Sequence, residues 1–421
     1  MKKLAIGTGT SLVVEHCQVC DSPDLQSLLF LGYLPPVNQM RLIGERPKEQ
    51  PAYPAELLYC PRCQLVQLGL IVDPQILFPP EYPYTSGTTR ILRENFAEMY
   101  QECKTLIPLT PTDLIVDIGS NDGTLLSNFK NGGHRVQGIE PTQMGNLANE
   151  RGIPTEIAFF GETAVNKVKN QHGLAKIITA TNVFAHIEDI HAIVKNILNL
   201  LDNQGVFISE SHYFASLVET LQYDTIYHEH LRYYSLQSLQ YLLNMHGLEV
   251  IHAKRIPTHG GSIRVYAARH GTYPVQPTVK TMLEAETTGG LLTVDKLQAF
   301  KNRVIASKLE LYALLADIKK RGQRIYGISA PSRASTLVNY VGLDDGLLDC
   351  VLEVPGSYKI GKYMPGTLIP VLEETKLFTD QPEYALILSW HIADELLPKL
   401  KQKGFKGDYI IPLPVPTVVK N

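Results

Sequence analysis

The spacing of apolar residues changes character twice along this chain. Through residue 75 the apolar runs are short, as at 57–59 and 65–70, and lie among prolines and cysteines. Small strands are expected there, around a support other than a large core. Residues 90–106 follow a helical rhythm. Four longer apolar runs come next, at 113–123, 134–141, 175–189 and 205–214, separated by helical stretches. That alternation predicts a mostly parallel α/β sheet. An antiparallel pair is expected over 251–271, then a helix-rich stretch over 276–321. A second alternation follows, with strand-like runs at 324–336, 348–355, 367–373 and 384–390. The fold class is therefore α/β, with three units: an N-terminal module (1–75), a central Rossmann-like domain (76–275) and a second Rossmann-like α/β domain (276–421). Prolines at 79, 80 and 83 exclude a helix there, so 76–90 reads as a linker or active-site loop. The two α/β units share a style without a convincing sequence repeat.

Length agrees with this division, since 421 residues exceed one ordinary core. With 39 basic against 42 acidic residues, the charge balance gives no sign of a dedicated nucleic-acid binder. No run approaches the roughly 20 apolar residues of a membrane span. Lys2 and Lys3 precede an apolar stretch that Gly and Thr interrupt, which argues against a signal peptide. The expected setting is cytoplasmic, and the oligomeric state is not legible.

Four of the six cysteines form two C-x-x-C pairs, Cys17 with Cys20 and Cys60 with Cys63. Two such pairs supply the four soft ligands of a tetrahedral Zn²⁺. A metal closed by four thiolates has no position for water or substrate, so its role is structural. Cys103 and Cys350 are isolated and read as buried apolar thiols.

The run 114–123 places a buried strand before a turn, Asp117-Ile-Gly119-Ser-Asn121-Asp122-Gly123, and Glu140 follows 21 residues after Gly119. The glycines let backbone approach an adenosine-type ligand, and the acidic residue can accept from both ribose hydroxyls. NAD would use the same geometry. The turn lacks a full G-x-G-x-x-G, which favours a cofactor without a pyrophosphate, namely S-adenosylmethionine (SAM). Asp117 and Asp122 are candidates to orient its methionine amino group. Thr181 and Asn182 end another strand where a crevice would form, although Asn182 is equally well explained as a helix cap.

Residues Tyr227-His-Glu229-His230 crowd two imidazoles and a carboxylate into four positions. Zinc binding is one reading, but His228 and His230 would share one strand face with no further ligand, and the helical H-E-x-x-H pattern is absent. Proton transfer is the other, because imidazole titrates near neutrality and a carboxylate can hold it.

Taken together, these motifs resemble the zinc-containing SAM-dependent C-methyltransferases of deoxysugar biosynthesis, which act on nucleotide-linked 4-keto-6-deoxyhexoses. The likeness runs through the cysteine pairs, 84–87 (Y-T-S-G), 117–123, 227–230, 258–264, 330–333, 364–371 and 388–390. It implies His230 as the base that deprotonates the carbon next to the ketone, most often C-3, with Glu229 beside it. It also implies that Tyr84 and Tyr227 donate to the enolate oxygen. His259, Gly260 and Arg264 fall in the family's substrate-side segment, where Arg264 pairs either with a phosphate or with a surface carboxylate. Arg333, Lys359 and Lys362 are the cations left to neutralise a diphosphate, because 329–334 departs from the family's glycine-flanked turn. The substrate partner implied is a nucleotide-diphosphate-linked keto-deoxysugar. Two rivals stand beside this reading: a methyltransferase acting on RNA or protein, and a binding protein that keeps the cofactor fold without catalysis.

Overall fold

The computed structural model describes residues 11–47, 49–77, 87 and 90–421. Tyr84 and most of the proline-rich loop lie outside the described residues.

The N-terminal region forms β1 (Leu12–Val13), β2 (Gln26–Leu34), β3 (Tyr53–Tyr59), β4 (Val66–Leu68), β5 (Leu70–Ile71) and the short helix α1 (Pro74–Leu77). Along β3, Tyr53, Ala55, Leu57 and Tyr59 are buried in strict alternation, so one face of this small sheet is inward.

The central region runs α2 (Arg90–Leu106), β6 (Leu114–Ile118), α3 (Thr124–Asn131), β7 (Arg135–Ile139), α4 (Met144–Glu150), β8 (Thr155–Glu156), α5 (Glu162–His172), β9 (Ala175–Thr181), α6 (Ile190–Leu200) and β10 (Leu201–His212). It continues with α7 (Phe214–Thr220), β11 (Arg232–Tyr233), α8 (Leu236–Met245), β12 (Leu248–Ile256) and β13 (Ser262–Arg269). Its seven-stranded sheet has the order β12-β13-β10-β9-β6-β7-β8, with β13 antiparallel to both neighbours. Every residue of β6 is buried, as a central strand covered on both faces requires. The chain order reverses between β6 and β9, which opens a crevice at their carboxyl ends.

After α9 (Pro277–Thr288) and the 27-residue α10 (Val294–Lys320) comes the second sheet. It comprises β14 (Ile325–Ile328), α11 (Ser332–Val341), β15 (Cys350–Glu353), β16 (Val371–Glu373), α12 (Thr375–Asp380), β17 (Tyr384–Ile387), α13 (Ala393–Gln402), β18 (Asp408–Ile411) and β19 (Thr417–Val419). The order is β16-β15-β14-β17-β18-β19, parallel apart from β19.

The regions are stitched together. β11 leaves the central region and pairs with β4, so it completes the N-terminal sheet. Glu286 of α9 caps α8 from outside: its carboxylate accepts Leu236 N at 2.6 Å and Gln237 N at 3.1 Å. These are helix-start amides that have no partner within their own helix.

Candidate functional site

The two C-x-x-C pairs fold as matching knuckles. Cys17 N donates to Ser22 O and Asp21 N to Cys17 O; Cys60 N donates to Leu65 O and Gln64 N to Cys60 O. The residue after each second cysteine, Asp21 (φ 56°) or Gln64 (φ 61°), is left-handed. All four cysteines are buried and their sulfurs lie within 4.8 Å of one another, with Cys17 to Cys63 at 3.3 Å and Cys20 to Cys60 at 3.5 Å. A tetrahedron with Zn–S bonds of about 2.3 Å separates its sulfurs by roughly 3.8 Å. The four thiols fit that ion with little movement. Cys103 and Cys350 are buried thiols away from this cluster.

At the head of the central sheet, Gly119 has φ 65° and donates to Ile139 O at 2.8 Å. A Cβ there would stand 2.6 Å from Val183, so glycine is required by both conformation and space. Asn121 (φ 50°) and Gly123 (φ 76°) complete the turn. Glu140, at the end of β7, accepts Asn121 N at 3.0 Å and Thr142 N at 2.8 Å. Asp117 is buried and accepts from Thr179 Oγ1 at 2.6 Å. Burial pushes its carboxyl up to about 7 against that bond. Asp122 holds Arg151 at 2.7 Å and accepts Gly87 N at 3.2 Å, which ties the far end of the Tyr84 loop to the turn. Thr181 ends β9. Asn182 is left-handed (φ 55°), and its buried Oδ1 has no partner among the described residues. It is not a helix cap: Asp189 caps α6 by accepting Ala192 N.

Residues 227–230 form a turn rather than the strand that the paired-histidine reading assumed, closed by His230 N donating to Tyr227 O at 2.9 Å. The two histidines do not converge on a metal. His228 Nε2 lies 3.2 Å from Pro54 O in the N-terminal sheet, whereas His230 Nδ1 lies 2.7 Å from Thr225 O. A carbonyl can only accept, so His230 carries its hydrogen on Nδ1 and presents a lone pair at Nε2. Burial, reinforced by His186, holds its pKa well below the usual value and keeps it neutral. The Tyr227 ring lies 4.1 Å from the His230 ring. Burial pushes the Tyr227 phenol well above its ordinary range, so it keeps its hydrogen.

Two further imidazoles, which sequence reasoning did not single out, complete the cluster. His186 is 4.9 Å and His212 is 4.7 Å from the His230 ring centre, and His212 is 5.6 Å from His259. His212 ends β10 and His186 follows β9, at the carboxyl edge where ligands of parallel sheets bind. That position was the available signal. His259, Gly260 and Gly261 have φ of 56°, 87° and 125°, and His259 Nε2 is buried without a partner among the described residues. A side chain held in the left-handed region beside two such glycines is strained backbone that the surrounding packing must hold in place.

Two of the expected phosphate-binding cations are used elsewhere. Arg264 is fully buried, and its donors reach Glu98, Glu102, Glu210, Asn95 O and Asn95 Oδ1. It belongs to a core ion network between β13 and α2. Arg333 makes a bidentate pair with Asp224 at 2.7 and 2.8 Å, beneath the Trp390 ring. Its charge is neutralised within the protein. Lys359 donates to Ala330 O and lies with Lys362 over the Tyr358 ring. Burial, then the charges of Glu353 and Glu229, push the Tyr358 phenol up to about 12.

The second sheet repeats the plan of the first at its switch point. Ser329 (φ 67°) donates to Leu352 O at 2.8 Å as Gly119 does to Ile139 O, and Ala330 N reaches Glu353 at 2.6 Å as Asn121 N reaches Glu140. Likeness of residues 114–140 to 325–353 was invisible as sequence because only the backbone pattern and the terminal glutamate are shared.

A Rossmann-like sheet with a glycine turn, a strand-end glutamate and a four-thiolate module is the layout of a SAM-dependent methyltransferase carrying a zinc site. Comparison with known proteins agrees. Residues 17–78 match a putative zinc binding domain, 88–253 a methyltransferase domain, and 257–414 a C-methyltransferase C-terminal domain. The chain is 30% identical over 409 residues to the C-methyltransferase NovU of Streptomyces niveus, spanning 96% of this chain and 97% of that protein. It belongs to the C-methyltransferase family. Among solved structures, it is similar to the SAM-bound magnesium protoporphyrin IX methyltransferase ChlM of Synechocystis PCC 6803 (TM-score 0.32, 14% identity, 42% of this chain and 79% of that one). It is also similar to a methyltransferase complex with the Haloferax volcanii Trm112 activator (TM-score 0.35, 15% identity, 44% and 95%). Among the described residues, no helix is long and apolar enough to cross a membrane.

Proposed function

We propose that this chain methylates C-3 of a nucleotide-diphosphate-linked 4-keto-6-deoxyhexose. The observation that carries the reading is His230: a neutral, buried imidazole whose Nδ1–H is tied to Thr225 O and whose Nε2 is available as a base. Bound SAM supplies an electrophilic methyl on a sulfonium, and the sulfur keeps the electron pair of the bond that breaks. Glu140 receives its ribose hydroxyls, the Gly119–Gly123 turn lets backbone approach, and Asp117, Thr181 and Asn182 line the remainder of the pocket. The zinc ion, held by Cys17, Cys20, Cys60 and Cys63, takes no part in the chemistry.

His230 Nε2 removes the C-3 proton, and the C–H electrons spread onto the C-4 oxygen. Tyr227, which stays protonated, donates to that oxygen together with Tyr84. The carbanion then forms the new C–C bond. Glu229 offsets the charge that His230 acquires. His259 and the backbone at Gly260 contact the sugar. Lys359 and Lys362 neutralise the diphosphate in place of Arg333, and the Ser329 turn with Glu353 receives the nucleoside end.

The test is mass spectrometry after incubating zinc-loaded protein with SAM and a panel of such keto-sugars, in H₂O and in D₂O. One methyl gained on a sugar, and deuterium entering C-3 without SAM, are expected. A folded, zinc-loaded sample that gives neither with any sugar rules the reading out.

A further inference from the structure

We propose that Asn38, supplied by the zinc-type module, is a positioning residue for Glu229; the catalytic part of this inference rests on the proton-transfer reading above. Asn38 Nδ2 donates to Glu229 Oε1 at 2.7 Å across 191 positions of sequence. The carboxylate is buried, and a buried anion needs donors fixed in direction. An amide is suited to the task because it donates without titrating and cannot compete for the proton that His230 must take. Glu229 precedes His230 in one tight turn, and in the proton-transfer reading its carboxylate is the group that balances the new imidazolium.

The placement of Asn38 is built, not incidental. It occupies the third position of a turn closed by Gln39 N to Pro36 O at 3.1 Å, after two prolines that restrict the backbone. The following residues are strapped to the C-terminal region: Tyr363 N donates to Arg41 O at 2.8 Å, Ile43 N to Gly361 O at 2.9 Å, and Leu42 bridges Lys362. Beneath the turn, Gly366 (φ 75°) permits close contact, since a Cβ there would lie 2.9 Å from Pro35 and 2.5 Å from Asn339. This gives the Met364-Pro-Gly366 segment a role that its sequence does not suggest. The C-terminal region clamps the strap, the strap aims Asn38, and Asn38 aims Glu229. The N-terminal module is then a contributor to the site as well as a stabiliser.

The experiment compares zinc-loaded wild type with Asn38→Ala and Asn38→Asp. In Asn38→Ala, kcat on the keto-sugar is expected to fall about 10- to 100-fold, the range of a lost hydrogen bond to a charged group, with KM and zinc content unchanged. Asn38→Asp keeps the shape but sets two carboxylates together. Its activity is expected to be lowest at pH 8 and to recover toward pH 6 as the pair shares a proton. Wild-type turnover and pH profile in both variants would overturn the proposal. A second measurement needs no substrate: Asn38→Asp should lower Tm, and adding Glu229→Gln should restore it. Additive effects of the two changes would show that the side chains do not interact and would also overturn it. If wild type methylates no keto-sugar, the proposed function fails, while the Tm pair still decides whether Asn38 holds Glu229.

Discussion

Trp390 and Arg333 share one acceptor: the indole N–H and the guanidinium Nε each donate to Asp224 Oδ2 at 2.7 Å. The pair joins the C-terminal sheet to the turn that precedes residues 227–230. Removing Asp224 leaves a buried guanidinium without its counter-charge. Asp224→Ala is expected to cost about 3–5 kcal/mol of stability. Asp224→Ala with Arg333→Leu should recover much of it, as read by thermal unfolding. A single variant as stable as wild type would show that the pair contributes nothing.

His230→Ala removes the proposed base without touching the glycine turn. Turnover is expected to drop about 10²- to 10⁴-fold, with SAM affinity by calorimetry unchanged. An active variant would take His230 out of the base role.

Gly119→Ala introduces both a strained φ and a methyl against Val183. SAM binding should weaken at least about tenfold. Gly119→Ala with Val183→Ala should recover part of the loss, because the clash is relieved while the backbone strain remains. Equal affinity in both variants would contradict the steric account.

Cys17→Ser should lower the zinc content and the Tm. It should also impair turnover indirectly, since β4 of the zinc-bearing sheet pairs with β11 two residues after His230. Full zinc content by metal analysis would refute the ligand assignment.

Stability should decline as pH falls. Burial lowers His186, His228 and His259 to about 4, and places His212 and His230 well below their usual value. A histidine with a depressed folded pKa is neutral in both states above the unfolded value of about 6.5. Below it only the unfolded chain takes the proton, so unfolding is favoured progressively from pH 6.5 to about 4. Calorimetry between pH 8 and 5 should show Tm falling, with net proton uptake on unfolding at pH 5. A flat Tm would mean these imidazoles are not buried neutral.

Local sequence determined a good deal of this. The strand-and-helix alternation set the two sheets, and glycines at 119 and 123 followed by Glu140 marked the turn at the head of the central sheet, because backbone conformation and strand ends are properties of neighbouring residues. The cysteine spacing marked the metal knuckles for the same reason. The charges could not be read this way. Arg264 and Arg333 look like phosphate ligands until the fold places Glu210 and Asp224 against them, partners 54 and 109 positions away. His186 and His212 join His230 only because parallel strands bring their carboxyl ends together. Asn38 meets Glu229 only when three regions close on one another. Which polar group is satisfied and which is left for a ligand depends on long-range packing, and that was decided by the tertiary structure alone.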